Sequence, residues 1–269
     1  AERDPWSWDM MPKVGTAGWV EAINYYSILP IRNYQATYDD RIAGGTDHKA
    51  YLKNFEYRPY ACANCALSCA HYVPTIKEGK YAGLSGGTLE YETTAALGAR
   101  CGVRSILDVM KGNVLCAEFG IDTISCGATI AWAMECYENE VLNWEETDGI
   151  PLRFGDAAAM IAMLEKTLQR DGFGDILAEG SAKAADRLGK GHEFLLTVKG
   201  QELPAHMPHV KRSLGLIYAV NPFGADHESS DHDPLYQPKV YEGTPERPGT
   251  KRHLASLGLT DPQPPQVLN

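Results

Sequence analysis

Three things are missing from this chain: an excess of positive charge, a long apolar run and internal repetition. Its 25 lysines and arginines face 35 aspartates and glutamates, which leaves a formal charge of -10. Without a basic stripe to neutralise a phosphate backbone, nucleic-acid binding is excluded as a role. No apolar stretch approaches the roughly 20 residues that a membrane-spanning helix needs. Ala1 to Met11 carries neither the basic nor the apolar region of a secretory signal, so the cytoplasm is the expected compartment. The 7 cysteines are odd in number, and Cys101, Cys116, Cys126 and Cys136 stand singly, which suits reduced buried thiols better than a disulfide framework. The first residue is not methionine, and the end is proline-rich at Asp261-Pro262-Gln263-Pro264-Pro265. Both features lead us to expect a piece of a longer polypeptide.

With 44% hydrophobic residues over 269 positions, the chain has enough apolar material for one or two domains. Trp6 to about Tyr60 reads as irregular apart from one modest helix around Trp19 to Ile28, and Gly79 to Thr88 reads as loop. Over Ser105 to Phe119, the residues Ile106, Val109, Met110, Val114 and Leu115 recur at helical spacing, with Ser105 as N-cap. Further helices are expected over Asp122 to Asn139, where Gly127 and Ala128 would admit a close neighbour, over Asp156 to Arg170 with Gly172 as its stop, and over Asp175 to Leu188. Only Phe194 to Lys199 reads as strand. The expected fold is mainly α, with one helical part over 1–150 and a second over 151–269.

Chemistry is densest in Cys62-Ala63-Asn64-Cys65-Ala66-Leu67-Ser68-Cys69, where three thiols within eight residues can converge on one soft-metal centre. The spacing matches an iron-sulfur cluster or zinc. With His71 as a fourth donor, zinc would make the chain a structural or interaction module.

Other blocks follow in order. They are Leu89-Glu90-Tyr91-Glu92-Thr93, Leu97-Gly98-Ala99-Arg100-Cys101-Gly102 and Phe119-Gly120-Ile121-Asp122-Thr123-Ile124-Ser125-Cys126-Gly127. Further on come Ile176-Leu177-Ala178-Glu179-Gly180-Ser181, Lys199-Gly200-Gln201-Glu202-Leu203-Pro204-Ala205 and Asn221-Pro222-Phe223-Gly224-Ala225-Asp226-His227. Together these resemble the tungsten-containing aldehyde ferredoxin oxidoreductase family, in its helical middle and C-terminal domains. The resemblance implies an enzyme of anaerobes that oxidises aldehydes to carboxylic acids, with a tungsten or molybdenum bis-pterin, bridging magnesium and a 4Fe-4S cluster feeding electrons to ferredoxin. It implies that Cys62, Cys65 and Cys69 are cluster ligands, that Glu92 and His227 are catalytic, and that Asp122 with Gly120 and Ile121 contacts a pterin. It also implies flanking domains, an N-terminal pterin-binding sheet and a later segment holding the fourth cluster ligand, and it leaves homo-oligomerisation open. A related subunit acting on another substrate, such as an aromatic acyl-CoA, is the alternative within the same family.

The residues themselves admit plainer readings. Asp122 is a good N-cap for the helix that follows. In the family pattern a carboxylate precedes it where Ala117 stands here, with Glu118 beside that position. Glu92 and its neighbour Glu90 could be solvated charges; as a general base, Glu92 would need burial to raise its pKa. His227 lies in the polar run Asp226-His227-Glu228-Ser229-Ser230-Asp231-His232-Asp233, which could be a hydrophilic loop or bind a divalent metal. His206 and His209, near Lys211-Arg212, read either as phosphate contacts or as an exposed basic turn.

Overall fold

The computed structural model describes residues 6–229 and 232; the proline-rich end lies outside them. Among the described residues, a π-helical turn over Trp6–Met10 is followed by four short α-helices: α1 (Met11–Val14), α2 (Trp19–Tyr25), α3 (Asp40–Thr46) and α4 (His48–Asn54). The last two fall where irregular structure was expected. Each starts on an aspartate that takes orphan backbone N–H groups: Asp39 accepts from Arg41 and Ile42, and Asp47 accepts from Ala50 at 2.8 Å. At 7 residues each, these helices are too short to show an apolar period. Strands β1 (Arg58–Tyr60) and β2 (Ala70–Tyr72) then pair antiparallel with Arg58 opposite Tyr72, so the cysteine run becomes the loop between them.

The centre of the molecule is α5 (Tyr91–Thr94), which runs straight into a π-helical turn, Ala95–Ala99, and every residue of both is buried. One side of this segment, Tyr91, Ala95 and Ala99, packs with Val20, Ile23, Leu29, Ile31 and Ile42. Leu97 faces the larger core instead, with α6 (Ile106–Phe119), α7 (Thr123–Glu138) and α8 (Ala157–Gln169). Gly127 of α7 sits directly on the π turn. A Cβ there would come within 2.7 Å of the Ala96 carbonyl carbon, so this is the close approach that the small residue was expected to allow. Trp132, 1% exposed, fills the core below and gives its indole N–H to the Gly191 carbonyl at 2.8 Å. Burying a ring of this size stabilises the fold by on the order of 3 kcal/mol.

Two N-caps are those expected, Ser105 accepting from Asp108 N and Asp122 from Ser125 N at 2.7 Å, and Asp156 caps α8 in the same way, accepting from Ala159 N at 2.9 Å. Three expectations need correction. Helix α8 ends on Arg170 in the left-handed region, and Gly172 instead opens α9 (Phe173–Leu177). The single helix expected over 175–188 is two, α9 and α10 (Ser181–Leu188), broken at Gly180 with φ 88°. The cause is distant, since the buried Glu202 carboxylate accepts both Ser181 N–H and Ser181 Oγ–H at 2.8 Å and caps α10 from across the fold. The strand expected over 194–199 shrinks to β3 (Thr197–Val198), hairpinned onto β4 (Gln201–Glu202), because Phe194 closes a 3-10 turn. Helix α11 (Arg212–Val220) follows. The fold is mainly α with little strand, and no helix among the described residues is long and apolar enough to cross a membrane.

Candidate active site

Glu92 occupies the first turn of α5 and is 7% exposed. Its two oxygens are held by a strap that crosses from β4: Ala205 N–H donates to Oε2 at 2.8 Å, and His206 Nε2 lies 3.0 Å from Oε1. The strap itself is tied down carbonyl by carbonyl. The Arg100 guanidinium donates to Leu203 O at 2.5 Å, the Tyr34 hydroxyl to Pro204 O, and the Tyr91 hydroxyl to Ala205 O at 2.7 Å.

The proton on His206 can be located from its neighbours. Lys211 Nζ lies 2.8 Å from His206 Nδ1. An ammonium has donors only, so Nδ1 accepts and the single imidazole proton sits on Nε2, the nitrogen 3.0 Å from Glu92. Burial pushes the His206 pKa down to about 4 and keeps the ring neutral. For Glu92, burial pulls the pKa up, but the hydrogen bond from His206, the nearby histidines and the Ala205 N–H outweigh it, and the carboxyl is held below its ordinary range. This corrects the expectation that burial would raise it.

His227 joins this pair. Glu92, His206 and His227 each offer one ligand atom within 4.8 Å of the others. Two histidines and a carboxylate suit iron(II), yet the Lys211 ammonium already occupies His206 Nδ1, and ligation through Nε2 would require that nitrogen to lose its proton beside a cation. A resident metal ion does not fit this triad. His227 Nε2 is 3.2 Å from Glu228 Oε1. It lines a cleft of about 350 Å³ with Asp122, Ile124, Gln201, Pro204, Phe223 and Asp226. The structure thus brings Glu92, His227 and Asp122 to one place. Of the polar run around His227, Ser230, Asp231 and Asp233 lie outside the described residues.

Asp122 performs its capping role and is still exposed to the cleft. Gly120 ends α6 at φ 69° with open space where a Cβ would stand, and the Ile121 side chain is 37% exposed beside it. An accessible acceptor-only carboxylate in an open, partly apolar cleft fits the N–H edge of a pterin. His206 and His209 separate: His206 is buried against Glu92, and only His209 is exposed, so the paired reading of the two is not what forms.

Cys62 and Cys65 are exposed and Cys69 half-buried. Cys65 N–H bonds Cys62 O at 3.0 Å, with Asn64 in the left-handed region at φ 62°. Burial, and then the charge of Glu90, pushes the Cys69 thiol up, with Cys65 and Cys62 adding to it. Three clustered thiols fit an iron-sulfur centre, whose binding would release their protons. His71, the fourth donor of the zinc alternative, faces elsewhere: it is 1% exposed, its Nε2 lies 3.1 Å from Pro12 O, and its ring packs on Tyr57. Cys101, Cys116, Cys126 and Cys136 are buried, as expected.

Comparison with known proteins decides the family. The family model for aldehyde ferredoxin oxidoreductase, domains 2 and 3, matches residues 1–255. The chain belongs to the aldehyde ferredoxin oxidoreductase family. It is 36% identical to the tungsten-containing aldehyde ferredoxin oxidoreductase of Pyrococcus abyssi, over 84% of this chain and 37% of that protein. It is 37% identical to the Pyrococcus furiosus enzyme of the same name, over 84% of this chain and 36% of that one. It therefore spans little more than a third of the length of these relatives. The WOR-like subunit of an aliphatic sulfonate oxidoreductase from Pyrococcus furiosus is 29% identical over 75% of the chain and 33% of that protein. Among solved structures, the active-site complex BamBC of benzoyl coenzyme A reductase, with 1,5-dienoyl-CoA, shares the fold at TM-score 0.61 and 18% identity, covering 80% of this chain and 33% of that one.

His206 escaped the sequence reading as a partner of Glu92. The pair is separated by more than a hundred positions, and the only local signal was a histidine directly after Leu203-Pro204-Ala205.

Proposed function

We propose that this chain forms the helical part of a tungsten (or molybdenum) bis-pterin oxidoreductase that converts an aldehyde and water to a carboxylic acid, releasing two electrons and two protons. The observation that carries the reading is the convergence of Glu92 and His227, distant in sequence, beside a cleft that also holds Asp122. When bound, the metal-pterin centre would take up the two electrons and a 4Fe-4S cluster would pass them to ferredoxin. Cys62, Cys65 and Cys69 would hold that cluster, and Asp122, with the open backbone at Gly120 and Ile121, would face a pterin. Magnesium would belong with the pterin phosphates on a flanking domain.

Glu92 is ionised, and among the described residues only its Oε2 takes a hydrogen bond, which leaves Oε1 to accept the proton of an attacking water. His227 Nε2 now lies 3.2 Å from the exposed Glu228 carboxylate; an aldehyde oxygen in its place would receive a hydrogen bond from Nε2 as negative charge builds on it. Glu90 and Tyr91 link the two centres. Glu90 lies near Cys69 and accepts from the Thr16 hydroxyl, which in turn takes Tyr91 N–H at 2.8 Å.

The test is metal analysis and a visible spectrum of anaerobically purified enzyme, followed by aldehyde-dependent reduction of ferredoxin. Iron near four per chain with tungsten or molybdenum, together with turnover, is expected. Zinc alone, or full loading with no aldehyde turnover, would refute the reading.

A further inference from the structure

Lys211, at the start of α11, sits between two imidazole rings behind Glu92 and His227. Its Nζ is 2.8 Å from His206 Nδ1 and 3.2 Å from His232 Nδ1. The two imidazole rings meet edge-on with centroids 4.7 Å apart. The tautomer rule applied to His206 applies equally to His232: a donor-only ammonium makes both Nδ1 atoms acceptors and leaves each proton on Nε2. The protonated His206 Nε2 lies 3.0 Å from Glu92 Oε1, and the His232 proton points at the backbone carbonyl of His227, 3.0 Å away.

We propose that Lys211 is a shared positioning residue, whose single ammonium fixes the tautomers of His206 and His232 so that one holds the Glu92 side chain and the other holds the His227 backbone. This rests on the proposed roles of Glu92 and His227 for its consequence in catalysis, but not for the tautomers themselves. Two groups that must act on one substrate then share one anchor, which keeps their spacing fixed within a hydrogen-bond length. Among the described residues, the titratable groups around the network include His206, His227 and the phenols of Tyr34, Tyr91 and Tyr218 about Glu92, with Lys211 and His232 on the far side of His206, Glu228 beside His227 and His232, Asp226 near Tyr218 and Arg100 near Tyr34.

The first test needs no activity. In long-range 15N spectra of the histidine-labelled protein, His206 and His232 are both expected as Nε2–H tautomers, with Lys211→Arg retaining them and Lys211→Met moving both rings toward mixed tautomers. A proton on Nδ1 of either ring in the unaltered protein overturns the assignment, as does a folded Lys211→Met protein with unchanged shifts. The unaltered spectrum alone decides, so a variant that fails to fold does not shelter the proposal.

The second test uses the cofactor-loaded enzyme. His206→Leu is expected to lower kcat/KM by about 10- to 100-fold, the worth of a buried hydrogen bond to a charged group. It is also expected to move the acidic limb of the pH profile upward, since Glu92 loses the donor that keeps it acidic. His206→Gln, which carries an N–H donor at a similar reach, should recover most of the loss. A Leu variant indistinguishable from the unaltered enzyme in both respects overturns the positioning role. An enzyme with the expected tautomers but no aldehyde oxidation overturns the proposed reaction and leaves the network standing.

Discussion

Replacing Glu92 by glutamine tests geometry and chemistry in one variant. The carboxylate accepts from Ala205 N at 2.8 Å through one oxygen and faces His206 Nε2–H at 3.0 Å through the other. A primary amide has one oxygen, so whichever donor it accepts from, its NH2 group is turned against the remaining one. The Glu92 side chain is 7% exposed, so an N–H left unmatched beside it is buried. One buried N–H left unpaired costs about 1–3 kcal/mol. In activity, loss of the base should cost about 100- to 10,000-fold in kcat. Urea unfolding followed by circular dichroism reads the first quantity, and steady-state aldehyde oxidation reads the second, with metal content measured to show that loading is unchanged. A Glu92→Gln protein with unaltered stability would mean that the two N–H bonds do not restrain the side chain. Turnover within tenfold of the unaltered enzyme would remove Glu92 as the base.

Stability should fall on acidification from about pH 6.5 to pH 4. His206 has a depressed pKa, so its contribution is complete above 6.5 and is lost as pH falls through about 4, worth roughly 3 kcal/mol in all. Glu92, also depressed, adds a loss of the same sign below its ordinary value of 4.5. A flat urea midpoint across pH 4–6.5 would contradict the buried neutral histidine. Gly127→Ala sets a helix-propensity gain of about 1 kcal/mol against a methyl 2.7 Å from the backbone of Ala96, which cannot rotate aside. Overpacking of about 1–3 kcal/mol should win, and a raised urea midpoint would show that α7 lies farther from the π turn. Cys65→Ser in anaerobically prepared enzyme should lose iron and visible absorption while keeping its far-ultraviolet circular dichroism; full iron retention would take Cys65 out of the cluster.

What the sequence made legible is what depends on neighbours along the chain. Ser105, Asp122 and Asp156 cap the helices they precede because an N-cap reaches only to the third residue on. Helices α6, α7 and α8 are long enough for an apolar period to appear. The break at Gly180 was not legible, because its cause is Glu202, a carboxylate on another element that caps Ser181. Helices α3 and α4 could have been found from Asp39 and Asp47 as caps, even though their apolar residues are too few to show a period. In the site, Glu92, His227 and Asp122 were singled out through the family motifs. The sign of the Glu92 pKa shift was not, because it depends on His206 and Ala205, which only folding delivers.

The strap from Leu203 to His206 explains how a buried carboxylate is tolerated at the centre of the fold. Irregular backbone inside a protein has no ladder to absorb its carbonyls, and each one left unpaired would cost about 1–3 kcal/mol. Here three consecutive carbonyls are taken by Arg100, Tyr34 and Tyr91, all contributed by the first 100 residues. A slip of one residue would misplace all three donors together, so the register of the strap is fixed without a sheet. That register determines which N–H group and which side chain meet Glu92, namely Ala205 and His206. Arg100, 1% exposed, therefore acts on the site through Leu203 O. Shortening it to alanine would free the strap at one end, loosen both bonds to Glu92 and leave Glu92 less acidic.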